Sequence, residues 1–309
     1  MKIAIMGTGG VGGLFGARLA AAGGDVTFIA RGPHLEAIQQ NGLQIISEMR
    51  GDLLIKPACA VPSVEGLAPF DFVFVTVKLW DTDSAIETIR PIVGKNTAII
   101  SFQNGISRDD KLKAAFGAEH IIGGISYVGA TILSPGVIEQ KGTFQKLVFG
   151  EYSGVKTSRV QSLADLCQKA AIEAVVPDDI SVSLWEKFVV LVAMSSLTAA
   201  TRQSIGPVRQ NPQTRALLHD VLREVYSVGI ASGVKLPLDV VERQIKYLDT
   251  VAPDVTASME YDLRQGNKLE LPWLAGSVVE LGSRLDVPTP VCRVICGILS
   301  PFVDGSKKQ

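Results

Sequence analysis

The feature that most constrains this chain is the strand–turn–helix–strand pattern packed into residues 1–32. Residues 2–6 form a short apolar run that reads as a buried strand. The loop Gly7-Thr8-Gly9-Gly10-Val11-Gly12 follows, with Gly7, Gly9 and Gly12 at G-x-G-x-x-G spacing. An alanine-rich helical stretch then stops at Gly23-Gly24, and residues 25–30 read as a second strand. Each glycine of such a loop has its own reason. The first permits a tight turn, the second lets backbone approach a pyrophosphate, and the third lets helix pack on strand. The N-terminus of the helix adds free N–H groups and a partial positive charge. Spacing alone is weak evidence, but spacing between a strand and a helix marks a dinucleotide site. Residues 7–12 are therefore candidate cofactor contacts.

The end of the second strand refines this reading. NAD-binding versions place an acid there, roughly 20 residues on, to accept the ribose hydroxyls. Here the strand ends in Ala30-Arg31-Gly32. A guanidinium pairs with a 2′-phosphate through its planar fork, so Arg31 favours NADP(H) over NAD(H). The plainer alternative is a solvated loop arginine.

The chain has 309 residues, enough for about two domains. Its 47% hydrophobic content and mean hydropathy of +0.27 supply ample core. The formal net charge is -1 with no basic block, so nucleic acid is not an expected partner. Cys59, Cys167, Cys292 and Cys296 form no C-x-x-C pair, and the three histidines are scattered, which argues against zinc. A reducing cytoplasm is the natural compartment. With a strand expected to start at Lys2, no signal peptide is expected. The longest uncharged apolar run, 188–200, is shorter than the ~20 residues of a membrane span.

Along the chain, strand-like and helical runs alternate up to about residue 178. Strands are predicted at 43–47, 53–61, 71–78, 97–102, 120–128, 146–150 and 173–176, with a hairpin folding 130–140 around Ser134-Pro135-Gly136. The apolar run at 71–78 suits a parallel strand covered on both faces. Beyond residue 179 only helical periods remain, at 180–202, 212–232, 237–251, 254–265, 272–285 and 289–302. The expected architecture is a doubly wound α/β Rossmann-like domain over 1–178 and an all-α domain over 179–309. Residues 305–309 read as a frayed tail.

A nicotinamide enzyme needs a group that protonates a carbonyl oxygen as hydride arrives. Lys187 in Leu184-Trp-Glu-Lys-Phe188 is followed by no charged residue until Arg202. Such apolar company would desolvate its ammonium and lower its pKa, as a general acid requires. The alternative is a lysine that snorkels to water. Lys78 closes the 71–78 strand at the edge where open α/β sheets bind ligands. Asn104-Gly105 ends the next strand-loop in the same way, either as a polar contact or as a common turn dipeptide. Ser258 and Asp262 share one helix face. Glu270 precedes a proline-started helix, where a solvent-facing acid is the default.

Taken in order, GTGGVGG, IARG, VTVKLW, QNG, LWEKF and SMEYDLRQGNKLE resemble the ketopantoate reductase (2-dehydropantoate 2-reductase) family over nearly the whole chain. The resemblance implies a Rossmann domain beside a helical domain of the 6-phosphogluconate dehydrogenase type. It also implies NADPH-dependent reduction of ketopantoate to pantoate, a step of pantothenate and coenzyme A synthesis. By the same resemblance Lys187 looks like the proton donor and Glu270 like the carboxylate that supports it and contacts the substrate hydroxyl. Lys78 and Asn104 look like the lysine and asparagine beside the nicotinamide and substrate. Arg31 looks like the 2′-phosphate arginine, and Ser258 like the serine that holds the substrate carboxylate.

The sequence also departs from the family pattern. Asparagines expected one and two turns beyond the lysine are Leu191 and Ser195, and one expected three residues before Ser258 is Val255. Ser195 keeps a shortened polar contact to substrate; Leu191 and Val255 keep none. Sites built on polar groups discriminate through such partners. Three readings follow: ketopantoate itself, a bulkier or more apolar 2-oxo acid reduced by a paralogue, or an NADPH-binding sensor without catalysis. The expected partner is a small 2-oxo acid. The apolar helix faces suffice for a homodimer or for the chain's own core.

Overall fold

The computed structural model describes residues 1–306, so the predicted tail lies outside the described residues from 307 on. The chain divides into two compact units, one of residues 1–103 and 108–180, the other of 104–107 and 181–309.

The first unit runs β1 (Lys2–Met6), α1 (Gly10–Ala21), β2 (Asp25–Ile29), α2 (Gly32–Asn41), β3 (Leu43–Ile46), β4 (Leu53–Ile55), β5 (Cys59–Val61), β6 (Phe72–Val75), α3 (Thr82–Ile89) and β7 (Ala98–Ser101). It continues with α4 (Arg108–Phe116), β8 (Ile121–Ser134), β9 (Val137–Glu151), α5 (Ser158–Lys169) and β10 (Glu173–Val175). β5, β2, β1, β6, β7 and β8 lie side by side and all pair in parallel. In chain order that is 3-2-1-4-5-6, the doubly wound dinucleotide-binding order, with its topological switch beside β1. β9 then returns antiparallel to β8, and β3, β4 and β10 extend the sheet beyond it. The Phe-Val-Phe-Val of β6 is buried throughout, as a strand covered on both faces must be. Helix α1 lies close to the sheet because Gly16 has no side chain. A Cβ there would come within 2.6 Å of Phe28 and 2.9 Å of Ile5.

The structure differs from the sequence expectations in several places. The single strand predicted at 53–61 is two strands on opposite edges, β4 against β3 and β5 against β2. Pro57 lies between them and has no N–H to continue a ladder. The hairpin turns where predicted, at Gly136 with φ +80°, but its arms reach 14 and 15 residues. The strand at 71–78 ends at Val75, leaving Lys78 in the turn beyond it.

The start of α5 is fastened to the end of β9 by Glu151. Its two oxygens accept from Nε and Nη2 of Arg159, each at 2.7 Å, and one also accepts from the Thr157 hydroxyl at 2.7 Å. Burial alone would push this carboxyl up, but Arg159 and Thr157 outweigh it and hold it below the ordinary glutamate range. A depressed folded pKa contributes stability above the unfolded value, and the contribution is lost as pH falls through the folded value. Arg159→Ala is therefore expected to cost about 2–3 kcal/mol at neutral pH, with the difference from wild type shrinking as pH falls below the ordinary glutamate range. Urea melts of both proteins across that range check it, and a pH-independent gap would contradict it.

The second unit is helical: α6 (Ile180–Thr201, of which Ile180 clusters with the first unit), α7 (Ile205–Gln210), α8 (Pro212–Ala231), α9 (Val240–Thr250), α10 (Ser258–Gln265), α11 (Ala275–Arg284) and α12 (Pro290–Leu299). By length and composition α6 could cross a membrane. In the structure it is a core helix: Trp185, Phe188, Val189, Val192 and Leu197 pack in the interior of the unit. The short helix α7 was not predicted. Its first two amides donate to the carbonyls of Val255 and Pro253, so residues 252–255 form a turn outside any helix and α10 starts at Ser258 rather than 254. The helix predicted at 272–285 breaks at Leu274 into a single 3-10 turn and α11. Glu224 of α8 accepts from the amides of Val291 and Cys292 at 2.8 and 2.9 Å and so caps α12 from within the core.

Candidate active site

In the first unit the glycine loop leaves β1 and enters α1 at the switch point of the sheet. Gly7 adopts φ +100°, a conformation that side chains avoid. A Cβ on Gly12 would collide with the Thr76 hydroxyl, the Gly7 carbonyl and Ile5, the last at 2.8 Å. One on Gly10 would collide with the Ala130 carbonyl of β8. Gly9 is different: a Cβ there would meet nothing within 4 Å. The loop is thus tight against protein at three glycines and open at the second of the motif. That opening, at the amino end of a 12-residue helix, fits a pyrophosphate.

Two threonines hold the loop. Thr8 is buried, and its amide and hydroxyl both donate to the Ile29 carbonyl, at 3.3 and 3.0 Å. Its side chain therefore ties the loop to the end of β2. With amide and hydroxyl both donating to that carbonyl, Thr8 serves to shape the loop. Val11 is half-buried and packs into the core of the unit. Thr76, which sequence reasoning passed over as part of a strand, donates to the Gly7 carbonyl at 2.7 Å and the Met6 carbonyl at 3.1 Å. The VTVKLW stretch carried the signal, because a threonine at a buried strand end needs a local acceptor.

Arg31 stands just before α2, with its side chain 88% exposed and Nη2 3.4 Å from Asp81 Oδ2. A pair this exposed holds its partner weakly and leaves the guanidinium free to move to a stronger anion. Lys78 precedes the 3-10 turn Leu79–Asp81, and its ammonium lies 5.6 Å from the ring centroid of Trp80.

In the second unit, Lys187 donates from Nζ to Oδ1 of Asn104 at 3.1 Å. The structure therefore brings together two residues singled out separately from the sequence. The orientation of α6 follows from its packing. Trp185 and Phe188 meet edge to face at 5.6 Å on the buried side, which leaves Lys187, Leu191 and Met194 as a half-buried stripe at helical spacing. The neighbouring Glu186 is taken by Arg243 of α9 at 2.6 Å. Leu191 thus follows Lys187 one turn on, where the family pattern has an amide.

The remaining candidates are spread over the unit. Glu270 is 5% exposed and caps the 3-10 turn Leu271–Trp273, its carbonyl accepting from Trp273 and Leu274, so the solvent-facing reading is corrected. A carboxylate this deep requires polar company, since an uncompensated buried charge is costly. Ser258 is exposed at the first turn of α10, and Val255 is 38% exposed. Asp262 accepts from the Asn267 side chain at 3.1 Å and holds the turn after α10. Ser195 is fully buried and its hydroxyl has no hydrogen-bond partner among the described residues. As placed it offers nothing to a substrate at the surface.

Comparison with known proteins follows the same lines. Residues 3–154 match the family model described as ketopantoate reductase PanE/ApbA, and residues 179–302 match that of its C-terminal region. A 2-dehydropantoate 2-reductase of Mesorhizobium japonicum is 32% identical over 97% of both chains. A PanE/ApbA family ketopantoate reductase of Ralstonia eutropha has a crystal structure that covers 98% of both chains with a TM-score of 0.89 at 30% identity. A D-mandelate dehydrogenase solved with NADH and anilino(oxo)acetate shares the fold over 98% of both chains, TM-score 0.88, at 20% identity.

Proposed function

The chain belongs to the ketopantoate reductase family and is an oxidoreductase acting on CH–OH groups, and we propose that it reduces ketopantoate to pantoate with NADPH. The observation that carries this reading is the Lys187–Asn104 hydrogen bond. An amide oxygen can accept from the lysine and never take its proton. It therefore orients the ammonium and leaves it charged, as a proton donor to a substrate carbonyl must be. Bound at the glycine loop, the reduced nicotinamide supplies the hydride. As that hydride reaches C2, negative charge grows on the carbonyl oxygen, and the Lys187 ammonium stabilises it and then donates its proton. The product is a hydroxy acid, and the neutral amine is reprotonated from water. Glu270 favours the charged lysine through its own charge and accepts from the substrate hydroxyl. Ser258, at the first turn of α10, binds the substrate carboxylate. Lys78 and Asn104 line the nicotinamide side.

Steady-state kinetics with ketopantoate and a panel of other 2-oxo acids test the reaction, each with NADPH and with NADH. NADPH and ketopantoate are expected to give the highest kcat/KM. Arg31→Ala is expected to raise KM for NADPH about tenfold, the lower end for a charge-assisted contact at so exposed a site, with KM for NADH unchanged. Equal affinity of the wild type for both cofactors would remove the phosphate role of Arg31.

A second reading is supported by Leu191, which shares the half-buried stripe with Lys187, and by the sealed hydroxyl of Ser195. Both make the surroundings of the lysine less polar than the family pattern. On this reading the substrate is a 2-oxo acid with a more apolar side chain. A kcat/KM for such an acid about tenfold or more above that for ketopantoate would establish it.

A further inference from the structure

The turn that carries Lys78 and the loop that carries Asn104 are joined by a buried chain of hydrogen bonds. The Thr82 hydroxyl donates to the Leu79 carbonyl at 2.7 Å, so its oxygen is left to accept. It accepts from Nε2 of Gln103 at 2.9 Å. The amide oxygen of Gln103 accepts from the Ser101 hydroxyl at 3.0 Å, and the Ser101 oxygen accepts from the Gln103 amide N–H at 3.3 Å. All three side chains are buried. Each donor has one acceptor and the directions leave no alternative. Thr82 spends its proton on Leu79, Ser101 spends its own on Gln103, and only a carboxamide can donate to one and accept from the other.

The chain begins beside Lys78, whose carbonyl closes the same turn by accepting from the Asp81 amide at 2.9 Å. It ends at Gln103, and the next residue is Asn104. Through Thr76 the same stretch is also tied back to Gly7. We propose that the Thr82–Gln103 bridge is a positioning device that ties the Lys78 turn to the backbone leading into Asn104, and so steadies the residue that accepts the Lys187 hydrogen bond. Neither Thr82 nor Gln103 contacts the reacting atoms in this scheme. The proposal rests on the reductase reading above for its effect on rate, and on the hydrogen bonds alone for its effect on the two loops. Small displacements suffice, because a misplacement of about 1 Å costs up to ~100-fold in rate.

Thr82→Val keeps the shape and removes both bonds, whereas Thr82→Ser keeps both. The valine variant is expected to lose about tenfold in kcat with KM for NADPH within about twofold of wild type, while the serine variant stays near wild type. Amide hydrogen exchange is expected to rise in the valine variant both at 79–81 and at 104–107, although Thr82 adjoins only the first of these segments. Wild-type exchange at 104–107, or a rise confined to 79–81, would overturn the bridge. So would a wild-type kcat in the valine variant of a chain that turns over a 2-oxo acid. The exchange measurement needs no substrate, so a chain that reduces no 2-oxo acid would refute the reductase reading and leave the bridge to be decided by exchange. If Thr82→Val does not fold, Gln103→Met removes the same bond from the other side, with the same expectations.

Discussion

Lys187→Ala is expected to lower kcat with ketopantoate and NADPH by about 10²–10⁴-fold, the usual worth of a positioned general acid. The substitution should leave NADPH affinity nearly unchanged, because the dinucleotide contacts proposed above lie on the glycine loop, Arg31, Lys78 and Asn104 and none on Lys187 itself. It should also fold, since Lys187 is only half-buried and the packing of α6 rests on Trp185, Phe188, Val189 and Val192. A loss in kcat with little change in KM is what removal of an interaction made only in the transition state produces. Lys187→Arg is informative beside it. Arginine restores the positive charge but does not give up its proton, so it should recover binding of an anionic substrate without recovering turnover. Stopped-flow measurement of NADPH oxidation in a single turnover separates the chemical step from product release. A near-wild-type single-turnover rate in Lys187→Ala would remove the lysine from the chemistry.

The second large effect separates two glycines of one loop. At Gly9 the backbone lies in an extended conformation, φ −82° and ψ −163°, and an added Cβ meets no protein atom within 4 Å. Serine is moreover a preferred residue before the first turn of a helix. Gly9→Ser is therefore expected to keep or raise Tm and to weaken NADPH binding about 10- to 100-fold, or about 1.4–2.8 kcal/mol, because the new atoms occupy the pyrophosphate's approach. Gly12→Ser should do the reverse in its primary effect. Its side chain runs into Thr76, the Gly7 carbonyl and Ile5, so Tm falls first and binding follows. Thermal melts with fluorescence titration of NADPH distinguish the two. A drop in Tm for Gly9→Ser of the same size as for Gly12→Ser would show that both glycines serve packing.

The parts of this molecule legible in the sequence are those set by local chemistry. The glycine loop, the buried Phe-Val-Phe-Val strand and the turn at Gly136 follow from spacing, apolar runs and backbone freedom. The lysine at 187 is visible as the last charge on a long apolar helix before Arg202. What distant chain segments decide stayed hidden. Residues 53–61 look like one strand until β2 and β3 claim its two halves. α7 exists because Pro253 and Val255 offer carbonyls to its first amides. Glu270 reads as a solvent-facing helix-entry acid by position and is buried by the fold around it. Gln103 looks like a turn residue beside Asn-Gly until Thr82, twenty-one positions earlier, supplies its acceptor.

The four residues Asn104–Ser107 cluster with the helical unit although they lie within the sequence of the sheet unit. A fragment cloned from residue 179 onward would carry Lys187 and lack the asparagine that accepts its hydrogen bond. A chimera that takes its sheet unit from one relative and its helices from another would mix the two halves of that pair. The boundary that is natural for expression thus cuts through a hydrogen-bonded pair, and any graft of this helical unit must bring residues 104–107 with it.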